Sequence, residues 1–274
     1  MGIRDDYRLQ SGHNATAFFS DLVAGFLMSD LWRTFAWDEV QKRYRRSMLG
    51  VVWIVVSYAI LVGGVSIFFS AFSSADPFRF LTHVAIGYAA FNFFSSNITD
   101  GCRVFSGSAN WIKSISLPYS IYVYKTMFRS IYVFSLQMTV ALAVMLASGW
   151  RPSLVTLYIF PAMALYLINA VPIQYALGLL SARYRDLEHL VSSIMRLMIF
   201  MTPILWVREE RTGIRADLAD LNPFTHFLEV FRAPLMDVAP RLISWEVVLG
   251  VTVFVWVAAI VIAISIRRRL PYWL

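Results

Sequence analysis

Four cations within five residues, Lys42, Arg43, Arg45 and Arg46, stand directly before an apolar run that carries no charge from Met48 to Ala75. Guanidinium forks grip phosphate oxygens two at a time, so such a collar can receive a phosphate or pyrophosphate at a membrane surface. The same charges serve plain topology and attraction to anionic lipid equally well. A fifth cation, Arg196, lies a turn or two inside a later apolar stretch. It either snorkels to the inner headgroups or meets an anionic head group from the inner leaflet.

Aromatic residues are the second group with a chemical use. Trp53, Tyr58, Phe68, Phe69 and Phe72 lie in the first apolar stretch, Tyr88, Phe91, Phe93 and Phe94 in the second, Phe200 and Trp206 in the fifth. Rings of this kind stack on the C–H faces of sugars and can line a passage; they also face lipid or core, since aromatics gather at membrane interfaces. Asn92, Ser95, Ser96 and Thr99 share one face of the second stretch. They either line a wet path or hydrogen-bond helix to helix.

What is missing narrows the chemistry further. None of the 13 glycines precedes a lysine, so no phosphate loop for ATP exists in this chain. His13, His83, His189 and His226 are scattered, the one cysteine is Cys102, and no metal-ligand spacing occurs. Asn14-Ala-Thr and Asn97-Ile-Thr match the glycosylation sequon by chance, the first on the cytoplasmic side and the second within a span. Acidic residues avoid the middle of every apolar stretch; Asp100, Asp186 and Glu188 sit at their ends. Ion-driven carriers place carboxylates at mid-membrane, and a membrane hydrolase needs a buried acid, base or metal. Both classes are disfavoured.

The elements that must position these groups follow from composition. Of 274 residues, 58% are hydrophobic and only 15% charged, which places the chain in the membrane class. The amino end, with no signal-peptide pattern, leaves insertion to the first span. Residues 1–13 read as polar and loose. From 30 to 46 the pattern is two-faced, with Asp30, Arg33, Thr34, Asp38, Gln41 and Arg45 on one side and Leu31, Trp32, Phe35, Ala36 and Val40 on the other. Such a helix lies along a membrane surface or packs on a partner. Six spans follow, at about 49–72, 80–99, 131–148, 153–182, 190–207 and 247–266, the fourth kinked or broken at Pro161 and Pro172. With both termini cytoplasmic, only Arg79, Arg151, Arg208, Arg211, Arg215, Arg232 and Arg241 of the 24 Lys and Arg fall outside. That is a positive-inside distribution, and it accounts for the +7 charge without nucleic acid. In the inner loop 100–130, Ser108 caps a short helix near 109–116 and Pro118 stops it. In the outer loop 208–246, Asn222-Pro223 starts a helix whose Phe224, Phe227, Leu228 and Phe231 stripe dips into the membrane or lies in its surface.

At these positions the chain resembles ABC-2-type exporter permeases for polysaccharides. The likeness rests on Tyr44-Arg45-Arg46-Ser47 with Leu49-Gly50 and Trp53, and on Arg183-Tyr184-Arg185-Asp186-Leu187 followed by Met201-Thr202-Pro203-Ile204-Leu205-Trp206. Asn222-Pro223 through Arg232-Ala233-Pro234-Leu235 and the terminal Arg268-Arg269-Leu270-Pro271-Tyr272-Trp273-Leu274 complete it. It departs at Ser116-Leu117-Pro118, where many members carry Phe-Pro.

The resemblance implies an all-α integral membrane protein with six transmembrane helices, an amphipathic interface helix and re-entrant helices in the last outer loop. Residues 1–48 would form a cytoplasmic segment and 49–274 the transmembrane domain. It implies a non-enzymatic permease in the bacterial inner membrane, working as a homodimer with two ATPase subunits that hold the ATP and magnesium. The cargo would be lipid-linked polysaccharide, O antigen in preference to capsule or teichoic acid. Lys42, Arg43, Arg45, Arg46 and Arg196 would receive the lipid pyrophosphate. Trp53, Tyr58, Phe68, Phe69, Phe72, Tyr88, Phe91, Phe200 and Trp206 would line the path. Asp38, Gln41, Ser108, Asn110, Lys113, Pro118, Arg185, Asp186 and Glu188 would face the ATPase. Two other readings compete: an exporter of small amphiphiles, and a stand-alone membrane enzyme acting on lipids or sugars.

Overall fold

The computed structural model describes residues 15–45, 47–72, 76–210 and 212–274. Arg46, Arg211 and the expected loose segment 1–13 lie outside the described residues, and so does the side chain of Phe72. Among the described residues all regular structure is helical. The principal helices are α1 (Ala15–Leu27), α2 (Ser29–Tyr44), α3 (Val52–Phe69), α4 (Pro77–Arg103), α5 (Ala109–Ser114) and α6 (Ser120–Ala147). They continue with α7 (Ile159–Arg183), α8 (Asp186–Met201), α9 (Ile214–Leu221), α10 (Pro223–Leu235), α11 (Leu242–Ile266) and the terminal turn α12 (Leu270–Trp273). Among the described residues, four helical stretches are long and apolar enough to cross a membrane: Val52–Phe69, Ser120–Ala147, Leu154–Arg183 and Leu242–Trp273.

The bundle is organised around α4, which does not meet that apolar criterion. Fifteen of its 27 residues are buried, because α3, α6, α7, α8 and α10 all pack on it. A helix sheathed by others needs no uniformly apolar surface, and its polar groups find partners on its neighbours. Asp76 starts it, accepting hydrogen bonds from the Phe78 and Arg79 amides with Pro77 in the first turn. At its other end Gly101 lies so close to α7 that a Cβ there would come within 2.9 Å of Gln174 Cα. The two helices are bridged by Gln174 Nε2 donating to Asn97 Oδ1 at 2.5 Å.

Several boundaries differ from the sequence reading, each for a local reason. The third span begins at Ser120, not 131, because Lys125 and Arg129 satisfy their charges inside the bundle. The fifth helix stops at Met201, since the residue before Pro203 is pushed to extended geometry, and Thr202 has φ −90 and ψ 140. The fourth runs unbroken through Pro172. Ser108 occupies the N-cap position of α5 but its side chain makes no capping bond. Asn222 caps α10 as expected, accepting from the Phe224 amide at 3.0 Å. The aromatic stripe of α10 faces the protein instead of lipid: Phe227 meets Phe94 at 4.4 Å between ring centroids. In α2, Trp32, Ala36 and Val40 are buried, with the Trp32 ring against Tyr124 and Phe128 of α6, so much of its apolar side is spent on the chain itself.

Candidate functional site

Helix α8 buries one residue, Met195, of its sixteen and leans against only part of α4. Between them lies a cleft of about 530 Å³ lined by Tyr88, Phe91, Asn92, Ser95, Thr99, Asp100 and Arg103 of α4 and by Ser192, Met195, Arg196, Ile199 and Phe200 of α8. The α4 positions 88, 92, 95, 99 and 103 recur at three and four, and so do 192, 196 and 199 on α8. Helical periodicity alone therefore turns these faces together. The cleft has an aromatic and aliphatic end near Tyr88 and Phe200 and a hydroxyl-rich, charged end near Thr99 and Arg103.

Its electrostatics are positive. Asp100 is taken by Arg129, which donates to it from Nη2 at 2.7 Å. Arg103 is taken by Glu188, with Nε donating to Oε1 at 2.6 Å. Arg196 donates to Ser193 Oγ at 3.0 Å and makes no ion pair among the described residues. It is the one cation of the cleft without a carboxylate, exposed on the wall. Such a group retains its capacity for a charge-assisted bond to an incoming anion.

The expected path residues do not all meet. Tyr88, Phe91, Phe200 and Arg196 come together in the cleft. Tyr58 is buried behind it, donating its hydroxyl to Ala85 O with its ring 6.1 Å from Tyr88. Trp53 and Phe68 lie on the exposed side of α3, and Phe69 is half-buried against Phe68 at 5.3 Å. Trp206 sits in the turn after α8, its Nε1 donating to Phe200 O at 3.1 Å. Lys42, Arg43 and Arg45 are exposed at the end of α2, with Lys42 paired to Asp38 at 2.5 Å.

The expected docking residues share the Arg103 end of the bundle. Asp38 and Gln41 are exposed on α2, Asn110 and Lys113 on α5, Arg185 and Asp186 at the start of α8; Ser108 and Pro118 are buried. Arg185 and Glu188 line a second pocket of about 310 Å³ with Ser106, His189 and the terminal Trp273 and Leu274. Two relays escape the sequence reading. Glu39 of α2 pairs with Lys125 at 3.1 Å and with Arg129, and Arg129 continues to Asp100 in the cleft. Burial would raise the Glu39 carboxyl, but the two cations outweigh it and hold it low. Asp21 of α1 accepts from the amides of Tyr119 and Ser120 at 2.9 and 3.0 Å and from Arg267 at 2.8 Å. The (i, i+4) spacing of Lys125 and Arg129 signals the first relay; no local pattern signals the second.

The family model of the ABC-2 type transporter matches residues 30–236, most of the chain. The chain belongs to the ABC-2 type transporter family. This family is one of multi-pass membrane proteins working with an ATPase partner. The chain is 22% identical over 200 residues to the O-antigen export system permease protein RfbA of Myxococcus xanthus, covering 71% of this chain and 76% of that one. It is 22% identical over 235 residues to a Klebsiella pneumoniae protein of the same name, covering 85% and 89%. A second Klebsiella pneumoniae protein of that name is 23% identical over 200 residues, covering 73% and 77%.

Proposed function

We propose that this chain is the permease subunit of an ATP-driven exporter that moves lipid-linked polysaccharide, with O antigen as the preferred cargo, out of the bacterial cytoplasm. The observation that carries the reading is the α4–α8 cleft, where Arg196 stands without a carboxylate beside the Tyr88, Phe91 and Phe200 rings and the Asn92, Ser95 and Thr99 polar groups. A cation of that kind suits the pyrophosphate of a lipid carrier, and rings with hydroxyls beside them suit a sugar chain that must slide.

In this reading six helices cross the inner membrane, α3, α4, α6, α7, α8 and α11, with the Arg103 end of α4 and both termini in the cytoplasm. The preponderance of Lys and Arg at that end supports the orientation. Helices α4 and α8 complete the set because burial in the bundle relieves α4 of the need to be apolar. Two copies face each other across α3 and α8, whose exposed Trp53, Ile60, Ile67, Leu190, Ile194 and Leu197 offer an apolar surface. Two ATPase subunits, carrying ATP and magnesium, dock on α2, α5 and the start of α8. Movement of α2 then reaches the cleft through Glu39, Arg129 and Asp100.

The test is export in cells whose own copy is replaced by Arg196→Gln. Losing a hydrogen bond to a charged group costs about 1.5–3 kcal/mol, so surface polysaccharide falls roughly tenfold or more while co-purification with the ATPase is unchanged. Export at the normal level in this variant removes the pyrophosphate role. Cargo movement by the purified chain without an ATPase removes the whole reading.

A further inference from the structure

Arg232 of α10 is 9% exposed and lies against the far half of α4. No carboxylate pairs with it among the described residues, although the neighbouring Arg208 and Arg241 both have one. Its Nη1 instead donates to the Pro203 carbonyl at 2.7 Å and lies 3.0 Å from His83 Nε2. That same Nε2 is 3.2 Å from the Trp206 carbonyl. The nitrogen can accept from Arg232 or donate to Trp206 O, but not both. Its direct hydrogen bonds are thus to neutral groups, with the carboxylates of Glu209 and Glu229 acting only at longer range, and burying a charge without a direct counter-charge is costly.

What Arg232 holds is the turn that ends α8. Thr202 in that turn accepts from Asn222 Nδ2 at 3.0 Å, and Ile204 is fully buried. The turn therefore has three ties, from Asn222 and Arg232 of the outer segment and from His83 of α4. The turn follows directly on Phe200, the α8 residue at the end of the cleft opposite Arg103, and Trp206 Nε1 donates to the Phe200 carbonyl at 3.1 Å. We propose that Arg232 is the positioning residue of the outer gate: it latches residues 202–206 against α4, and its release lets the far end of α8 swing away and open the cleft outward. The outward placement rests on the topology given under the proposed function.

The test uses the full chain with its ATPase in spheroplasts, in a Cys102→Ser background. A reporter thiol is introduced by Ile204→Cys and, in a separate protein, by Met145→Cys, a second buried position. Both are exposed to a membrane-impermeant maleimide. Arg232→Gln should raise labelling at 204 roughly ten- to a hundredfold, the ratio that loss of a hydrogen bond to a charged group represents, and leave 145 unchanged. Gly87→Ala keeps the charge but sets a Cβ 3.1 Å from Nη1, and should raise labelling at 204 by a smaller factor. An unchanged rate at 204 in either variant, or equal rises at 204 and 145, overturns the latch. If Arg232→Gln fails to accumulate, Gly87→Ala decides alone. A reporter that reacts only in inside-out vesicles overturns the outward placement whatever the variants do. Because labelling reads the turn and not transport, an unchanged export phenotype in Arg196→Gln leaves this result standing.

Discussion

The two ends of the bundle handle charge in opposite ways. At the Arg103 end, ion pairs join parts of the chain far apart in sequence: Arg267 to Asp21 across 246 positions, Arg129 to Glu39 across 90, Arg103 to Glu188 across 85. At the Pro77 end they are local, with Arg208 to Asp220 and Arg241 to Glu229 each spanning 12 positions. The first set staples separate helices, so a push on α1 or α2 is felt in α6 and α4. The second set joins neighbours within α9, α10 and the start of α11, and that segment is tied to the bundle by apolar packing, by Arg232, by Asn222 on Thr202 and by Tyr166 donating to the Phe227 carbonyl. One end joins helices distant in sequence, and the other joins neighbours along the chain.

The largest effect expected from this contrast comes from Asp21→Ala. It strands Arg267 and leaves the Tyr119 and Ser120 amides without an acceptor, and removing one partner of a buried pair costs about 3–5 kcal/mol. Asp220→Ala at the other end breaks a half-buried pair between neighbours in the chain and costs less, about 1 kcal/mol. Melting temperatures in detergent check the difference; equal losses would erase the contrast.

Arg129→Gln tests transmission more narrowly. With Glu39 left to Lys125 and Asp100 unpaired, the complex still assembles, but polysaccharide moved per ATP hydrolysed falls roughly tenfold, within the usual range for coupling between sites. Undiminished coupling would mean that the staple is only structural.

The smallest effect is one of pH. The Arg208 hydrogen bond lowers the Asp220 carboxyl, and the Arg241 bonds outweigh burial and lower Glu229. A carboxyl lowered in the folded chain stabilises it fully above its unfolded value, about 4, and that contribution is lost as pH falls through the lower folded value. Acidifying only the outer medium to about pH 3 therefore loosens residues 208–221 while the Glu39 staple, facing the buffered side, holds. Hydrogen exchange in proteoliposomes reads this, and Asp220→Asn should flatten the dependence.

Much of the architecture was legible along the chain. Apolar runs announced the helices, Asn222-Pro223 announced the start of α10, and Thr202-Pro203 contains the signal that ends α8. The face of Asn92, Ser95, Ser96 and Thr99 was readable as a candidate for a wet path, and Arg196 as a candidate partner for an anionic head group. Their meeting was not, because a helical face shows its period in sequence but never its neighbour. The hub role of α4 was hidden for a related reason: its polar residues look like a weak span until five helices are seen to cover them. Tyr58 and the aromatic stripe of α10 were read towards a passage or lipid, and packing turned them into the core.

Composition and local spacing alone indicate a helical membrane protein and show that the chain carries no phosphate-loop motif, because hydrophobic length and motif are properties of the chain itself. Which cations remain free is settled by packing. Among the described residues, Arg103, Arg129 and Arg267 find distant carboxylates, Arg196 pairs with none, and Arg232 is buried with its hydrogen bonds to neutral groups. The side chains are alike; the partner that folding brings within reach is what sets them apart.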